Sequence, residues 1–265
     1  MRLGFQQLDE LLRGRKTAPP QLADGKVDLP LRMFVPLAIG LGAVYGFFMG
    51  WYAISGRSQP GYEQLIASTV KLPALFLLTL LVTFPSLYVF NALVGCRLSF
   101  TAMLRLLVGA ITVDLAVAAS LGPILGFFTL STQSYAFMVI LNVALLAVAG
   151  VVGLGFLLQT LRRLTAWVYW RPPVAEPADA AQPPMPSEPG PLEVVPGDYP
   201  RETLGAARSI FRIWVLIYAL VGAQMGWLLR PFIGSPDMPF TWFRAREGNF
   251  FLALATQLKN LAEGR

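Results

Sequence analysis

Asp114 is the one acidic side chain inside a long apolar run of this sequence. A carboxyl group in the middle of a bilayer costs roughly 2.5–3.5 kcal/mol on insertion scales, so such a residue normally faces a partner or water. Asn142 and Gln224 are amides in two other apolar runs. Counted from the expected ends of their runs, all three fall in the outer third of the membrane, roughly 8–12 Å from its boundary at about 1.5 Å per residue. The expectation is one polar cluster of Asp114, Asn142 and Gln224. It could hold a proton or a cation, or lock helices by hydrogen bonds worth about 0.6 kcal/mol each. Asn91 and Arg105 could form a second polar level near the opposite face, but snorkelling of Arg105 to the headgroups is the favoured expectation.

Other chemistry lacks its residues. The chain has no histidine, so the commonest base and metal ligand are missing. One cysteine, Cys96, allows neither an internal disulfide nor a cysteine zinc site. There is no GxxxxGK[ST] loop, HExxH, GxSxG or CxxC. A two-carboxylate mechanism within the membrane needs a second acid beside Asp114, and none is present. No catalytic residue, metal or cofactor is expected.

The elements that must position these residues follow from composition. Of 265 residues, 55% are hydrophobic and 14% charged, against roughly 25% charged in soluble domains. The apolar residues fall in runs of membrane-spanning length, about 20 residues. The reading is an all-α, polytopic transmembrane helix bundle of about five spans with a cytoplasmic N-terminus. The net charge of +6 then reads as a topology signal and not as a nucleic-acid footprint.

Residues 1–32 form a polar leader, with Leu8, Leu11 and Leu12 on one face of a short amphipathic helix, suited to a membrane surface. No cleavable signal peptide precedes the first apolar run, which is expected to be its own insertion signal. A four-span domain covers 33–171, with spans at 34–54, 72–94, 102–121 and 135–161. A polar loop is expected over 55–68 and a kink at Pro85. Gly122-Pro123 is expected to end the third span, leaving 124–134 as an interfacial or re-entrant connection. Residues 172–200 hold ten prolines, five acidic residues and no Lys or Arg; they read as an extended linker. The fifth span is expected within 201–230, at 213–229. An interfacial tail, 231–265, ends in a helix over 250–261. Arg230 at the end of the fifth-span segment, and Arg244 and Arg246 in that tail, are candidate lipid-headgroup contacts.

Glycine spacing bears on packing. Gly42, Gly46 and Gly50 make two successive GxxxG steps, and Gly222 and Gly226 a third. Such spacing lets backbones approach closely, with a span of the same chain or with a second protein.

Leu72-Pro73, the run Phe84-Pro85-Ser86-Leu87-Tyr88-Val89-Phe90-Asn91 and the short Gly95 turn into a leucine-rich span resemble the Yip1-type membrane proteins. The resemblance covers about residues 71–161. It implies a compact bundle of five spans with the N-terminus inside, and it carries no catalytic residue. The proline-rich linker and the 230–265 tail depart from that family's pattern.

Three functions fit. The chain is expected to be a non-enzymatic scaffold or subunit of a membrane assembly, whose partners are the bilayer and other membrane proteins, with no nucleic acid. Its alternative is a small transporter or channel with its polar site at Asp114. A third is a lipid-acting enzyme at the interface, with Asp237 or Glu247 as base. The location is a multi-pass one, in a bacterium the cytoplasmic membrane. The alternation of Lys and Arg places the tail outside. In a Cys96→Ser background, a cysteine at Ser235 should therefore be blocked by a membrane-impermeant thiol reagent in intact cells. Full later labelling by a permeant probe would put the tail inside.

Overall fold

The computed structural model describes residues 2–13, 29–55, 61–93, 100–132, 134–169, 201–229, 242 and 250–263. Among the described residues the structure is all helical: α1 (Arg2–Leu12), α2 (Leu31–Ser55), α3 (Tyr62–Leu93), α4 (Phe100–Ser131), α5 (Tyr135–Tyr169), α6 (Arg201–Leu229) and α7 (Phe250–Ala262). Four stretches are long and apolar enough to cross a membrane: Leu31–Ser55, Tyr62–Val89, Phe100–Ser131 and Tyr135–Thr160. Ile213–Leu229 of α6 adds a shorter apolar helix. The chain is thus an all-α bundle with the helix lengths of a multi-pass membrane protein. The proline-rich linker at 172–200 lies outside the described residues.

Several boundaries differ from the sequence expectation: α5 runs on to Tyr169, and α6 begins already at Arg201. The loop over 55–68 is shorter, because α3 already begins at Tyr62. Glu63 lies in its first turn, where a carboxylate favours the positive end of the helix dipole. The Gly61 carbonyl accepts from the Gln64 and Leu65 amides, and starts the ladder. The larger correction concerns Gly122-Pro123. This pair does not end the third span; α4 runs through it to Ser131. Proline removes one backbone donor, and packing on both sides outweighs that loss. Gly122 and Gly126 together form a slot for the Phe48 ring. A Cβ at Gly122 would come 2.6 Å from Phe48 Cδ2, and one at Gly126 2.9 Å from Cδ1. Residues 124–131 are therefore the last turns of α4, with Leu125 and Thr129 buried and Phe128 packed on Phe137 of α5. They are not a re-entrant connection.

The helices pack as an arc in the order α6, α3, α2, α4, α5. In a bilayer the lipid tails are as apolar as leucine, so close contact between helices must come from shape. The α2–α3 seam shows how. Cβ atoms at Gly42, Gly46 and Gly50 would meet Pro73 Cβ at 2.9 Å, the Ser68 carbonyl oxygen at 2.6 Å and Leu65 Cα at 2.8 Å. All three glycines of the doubled GxxxG row face α3. Hydroxyls inside the spans satisfy themselves on their own helix: Thr79, Thr83, Thr112 and Thr129 each donate to the carbonyl four residues back.

Buried apolar side chains gather in two clusters. One, at the leader end, joins Leu11, Phe34, Leu106 and Leu107. The other, towards the far end, joins Tyr45, Met49, Leu125 and Met138. The leader helix takes part in the first. Leu8 and Leu11 of α1 are buried, while Asp9 and Arg13 pair at 2.8 Å on its exposed side. Leu8 and Leu11 thus pack against the bundle end, while Leu12 of the same face is exposed. The remaining gap in the arc, between α5 and α6, is bridged by α7, which touches both.

The α2–α3 seam predicts the cost of filling it. Gly46→Ala pushes a methyl group into backbone and should lower stability by about 1–3 kcal/mol, the usual range for overpacking. Gly40→Ala, with nothing within 4 Å of its Cβ, should be neutral. Thermal unfolding of both variants in detergent checks this; equal melting temperatures would contradict the seam.

Candidate functional site

A cavity of about 480 Å³ lies on the concave side of the arc. Its floor comes from α3 and α4, and its walls from α5 and α6, which stand apart across it. Phe250, the first residue of α7, also lines it. Leu75, Phe76, Ile111, Leu146 and Leu154 make most of the surface apolar. Asp114 is the only charged side chain among its described lining residues.

Asp114 sits where the two apolar clusters meet on α4. It is buried, and its Oδ1 has no hydrogen-bond partner. Across from it Gly153 of α5 comes so close that a Cβ there would lie 2.8 Å from the Asp114 Cβ. Tyr218, on α6, also lines the cavity, and its buried hydroxyl has no hydrogen-bond partner. Tyr218 lies within electrostatic reach of Asp114. Its ring packs on Trp214, one turn earlier on α6, at 5.2 Å between centroids. The Trp214 indole is fixed in turn, since its Nε1 donates to the Thr83 carbonyl of α3 at 3.1 Å.

Asn142 lines the same cavity at another level. Its Oδ1 accepts from the Tyr45 hydroxyl of α2 at 2.8 Å, and both side chains are buried. On α5, Asn142 and Gly153 share one face but stand about 16 Å apart along the axis at about 1.5 Å per residue. Asp114 and Asn142 therefore occupy two levels, not one. The depth count placed them together because it ended the third span at 121. With α4 running to Ser131, Asp114 moves to mid-helix, about 26 Å from that end.

Gln224 does not join them. It is exposed, and its helix turns Tyr218, Gly222 and Gly226 to the cavity instead. Two residues beyond Gly222, at about 100° per residue, Gln224 points to the opposite side. Gly222 and Gly226 face α3, where Cβ atoms would lie 3.6 Å from Thr79 Cγ2 and 3.5 Å from Leu75 Cδ1. These are ordinary contacts, far looser than the α2 seam. Arg230, Arg244 and Arg246 lie outside the described residues, as do Asp237 and Glu247. Arg105 is half-buried on α4, and the side chain of Asn91 is also outside the described set.

One polar residue escaped the sequence reading. Lys71 stands just before the span expected at 72–94. It lies within α3, is buried, and donates from Nζ to the backbone carbonyl of Trp242. The ring of Trp242 lies 5.5 Å from the same nitrogen, within range of a cation–π contact. The available signal was Lys71-Leu72-Pro73, a lone cation abutting an apolar run. No group of three or more His, Cys, Asp or Glu side chains among the described residues could hold a metal ion.

No protein-family model matches the sequence, and no curated protein or solved structure matches it either.

The Tyr45–Asn142 bond carries its own prediction. Tyr45→Phe should cost about 0.6 kcal/mol and no more than about 1.7, the range of such bonds in membranes. In a double-mutant cycle with Asn142→Leu, unfolding in detergent should show a coupling of that size. A coupling of zero would mean that the two side chains do not interact in the folded protein.

Proposed function

We propose that this chain is a non-enzymatic integral membrane protein that binds, and carries within the bilayer, a small ligand held at the Asp114 level. This is the transporter reading of the three weighed above. One observation carries it: Asp114 and Tyr218 both line a cavity of about 480 Å³, and the buried Asp114 Oδ1 and Tyr218 hydroxyl have no hydrogen-bond partner. Ligand pockets occupy about 300–1,000 Å³ and combine mostly apolar walls with a few convergent polar groups. A pair of polar groups kept solely to lock helices would be expected to bond to each other or to a neighbour, as Tyr45 and Asn142 do.

The scaffold reading has its own support in α7. Phe251, Leu252 and Leu258 are exposed on it, and a partner subunit could cover them. Lipid covers such a face equally well. The doubled GxxxG row does not add to this reading, because its glycines face α3 of the same chain. The Yip1-type resemblance of residues 71–161 gives either reading a family context and assigns no residue a role.

Gly150 lines the cavity and has nothing within 4 Å of its Cβ position. Gly150→Leu should therefore fill the void without straining the backbone. Native mass spectrometry of gently solubilised wild type should show bound small molecules that this variant loses. Identical spectra, with stoichiometric protein partners in both, would favour the scaffold.

A further inference from the structure

Resting on the cavity reading, we propose that the ligand is an amphiphilic organic cation: an ammonium head beside Asp114, Tyr218 and Trp214, and an apolar tail along the rest of the cavity. Four features converge on this class. The first is acceptor geometry. Asp114 Oδ1 is buried without a donor, and a carboxylate is an acceptor with room for several hydrogen bonds. An ammonium group supplies donors in the charge-assisted form, which is the stronger kind.

The second is charge balance. Among the described residues no Lys or Arg lines the cavity. An ionised carboxylate inside a bilayer is costly until a counter-charge is brought to it. A cationic guest brings that charge with it. An anionic guest would add a second negative charge to the same dry space, and is selected against by repulsion.

The third is the aromatic pair. Trp214 and Tyr218 both line the cavity on α6, and they pack on each other at 5.2 Å with their planes 33° apart. Ring faces attract cations, indole most strongly, and more so where water is excluded. Trp214 also has its N–H engaged by the Thr83 carbonyl. Its orientation is thereby set before any ligand arrives, which reduces the ordering cost of binding.

The fourth is the length and surface of the remaining space. From the Gly153 level to Asn142 the cavity follows α5 for about 16 Å. Leu146, Leu75 and Phe76 line this stretch, and the Asn142 carbonyl oxygen near its end is already bonded to Tyr45. Such walls accept an alkyl or aromatic tail and offer little to a second polar group. A small hydrated metal cation would leave them uncovered and would find too few oxygen ligands.

The test uses the full chain in nanodiscs of zwitterionic lipid, with empty nanodiscs as the blank, and tritiated dodecylammonium as the probe. Wild type should bind the probe saturably above the blank. Asp114→Asn should weaken binding at least tenfold, and Tyr218→Phe, which keeps the ring, by a few-fold. Dodecanol and dodecanoate should compete at least tenfold less well than unlabelled dodecylammonium. Should Asp114→Asn lose its cooperative melting transition, Tyr218→Phe and the competition series decide the matter. Equal competition by all three amphiphiles, or full binding by both folded variants, would overturn the cationic class while leaving the cavity reading in place. Absence of saturable dodecylammonium binding to wild type overturns the proposal too. Binding that survives in Gly150→Leu would remove the cavity itself as the site, and both readings with it.

Discussion

The backbone approach of α2 to α3 is the constraint on which the rest of the bundle depends. Three glycines one turn apart let the helices close until the Ser68 carbonyl oxygen lies only 2.6 Å from where a Cβ of Gly46 would be. No side chain fits in that seam. Because α2 also packs along α4, it draws α3 and α4 together behind a concave face. The bend of the arc is thus set from the outside, by what α2 lacks. The concave side is then free to be incompletely filled, and α5 and α6 stand apart across it. A leucine in the seam would force the arc to flatten, and the space in front of Asp114 would change shape with it.

The interior divides its polar groups between two uses. Threonines on α3 and α4 fold back onto their own helices, and the Tyr45–Asn142 bond ties α2 to α5. These groups are spent on structure. Asp114 and Tyr218 are not spent in this way. Gly153 brings α5 against the Asp114 stem, so the carboxyl group is held in place by packing and not by hydrogen bonds. That is the arrangement expected where a polar atom is reserved for a guest: a rigid stem and an unengaged tip.

Much of this was legible in the residues. The apolar runs set the helix class, and the row Gly42–Gly46–Gly50 pointed to a close seam. Asp114 stood out by the cost of burying it. Two physical facts hid the remainder. Gly-Pro reads as a stop, since its local conformational preferences favour a turn. At 122–123 the same pair seats an aromatic ring within a continuing helix, and only the position of Phe48 on another helix reveals this. The error propagated, because depth along the third span was counted from the false end; Asp114 and Asn142 were put on one level and are about 16 Å apart. Gln224 was grouped by depth alone, with no account of which face of α6 it occupies. Tyr218 and Trp214 carried no signal of their own, as aromatic residues are common in spans.

Lys71 offers a different lesson. It is buried, and the contact that ties it to the C-terminal segment is a main-chain carbonyl. A carbonyl is present whatever side chain occupies position 242. The tether between α3 and the stretch leading to α7 therefore depends on chain path more than on residue identity. The indole at 242 adds its ring face, but its loss leaves the acceptor in place. Substitutions at 242 can accumulate while the lysine stays fixed, so variation among related chains should fall unevenly on the two ends of one contact. Drift would be permitted at the acceptor and resisted at the donor.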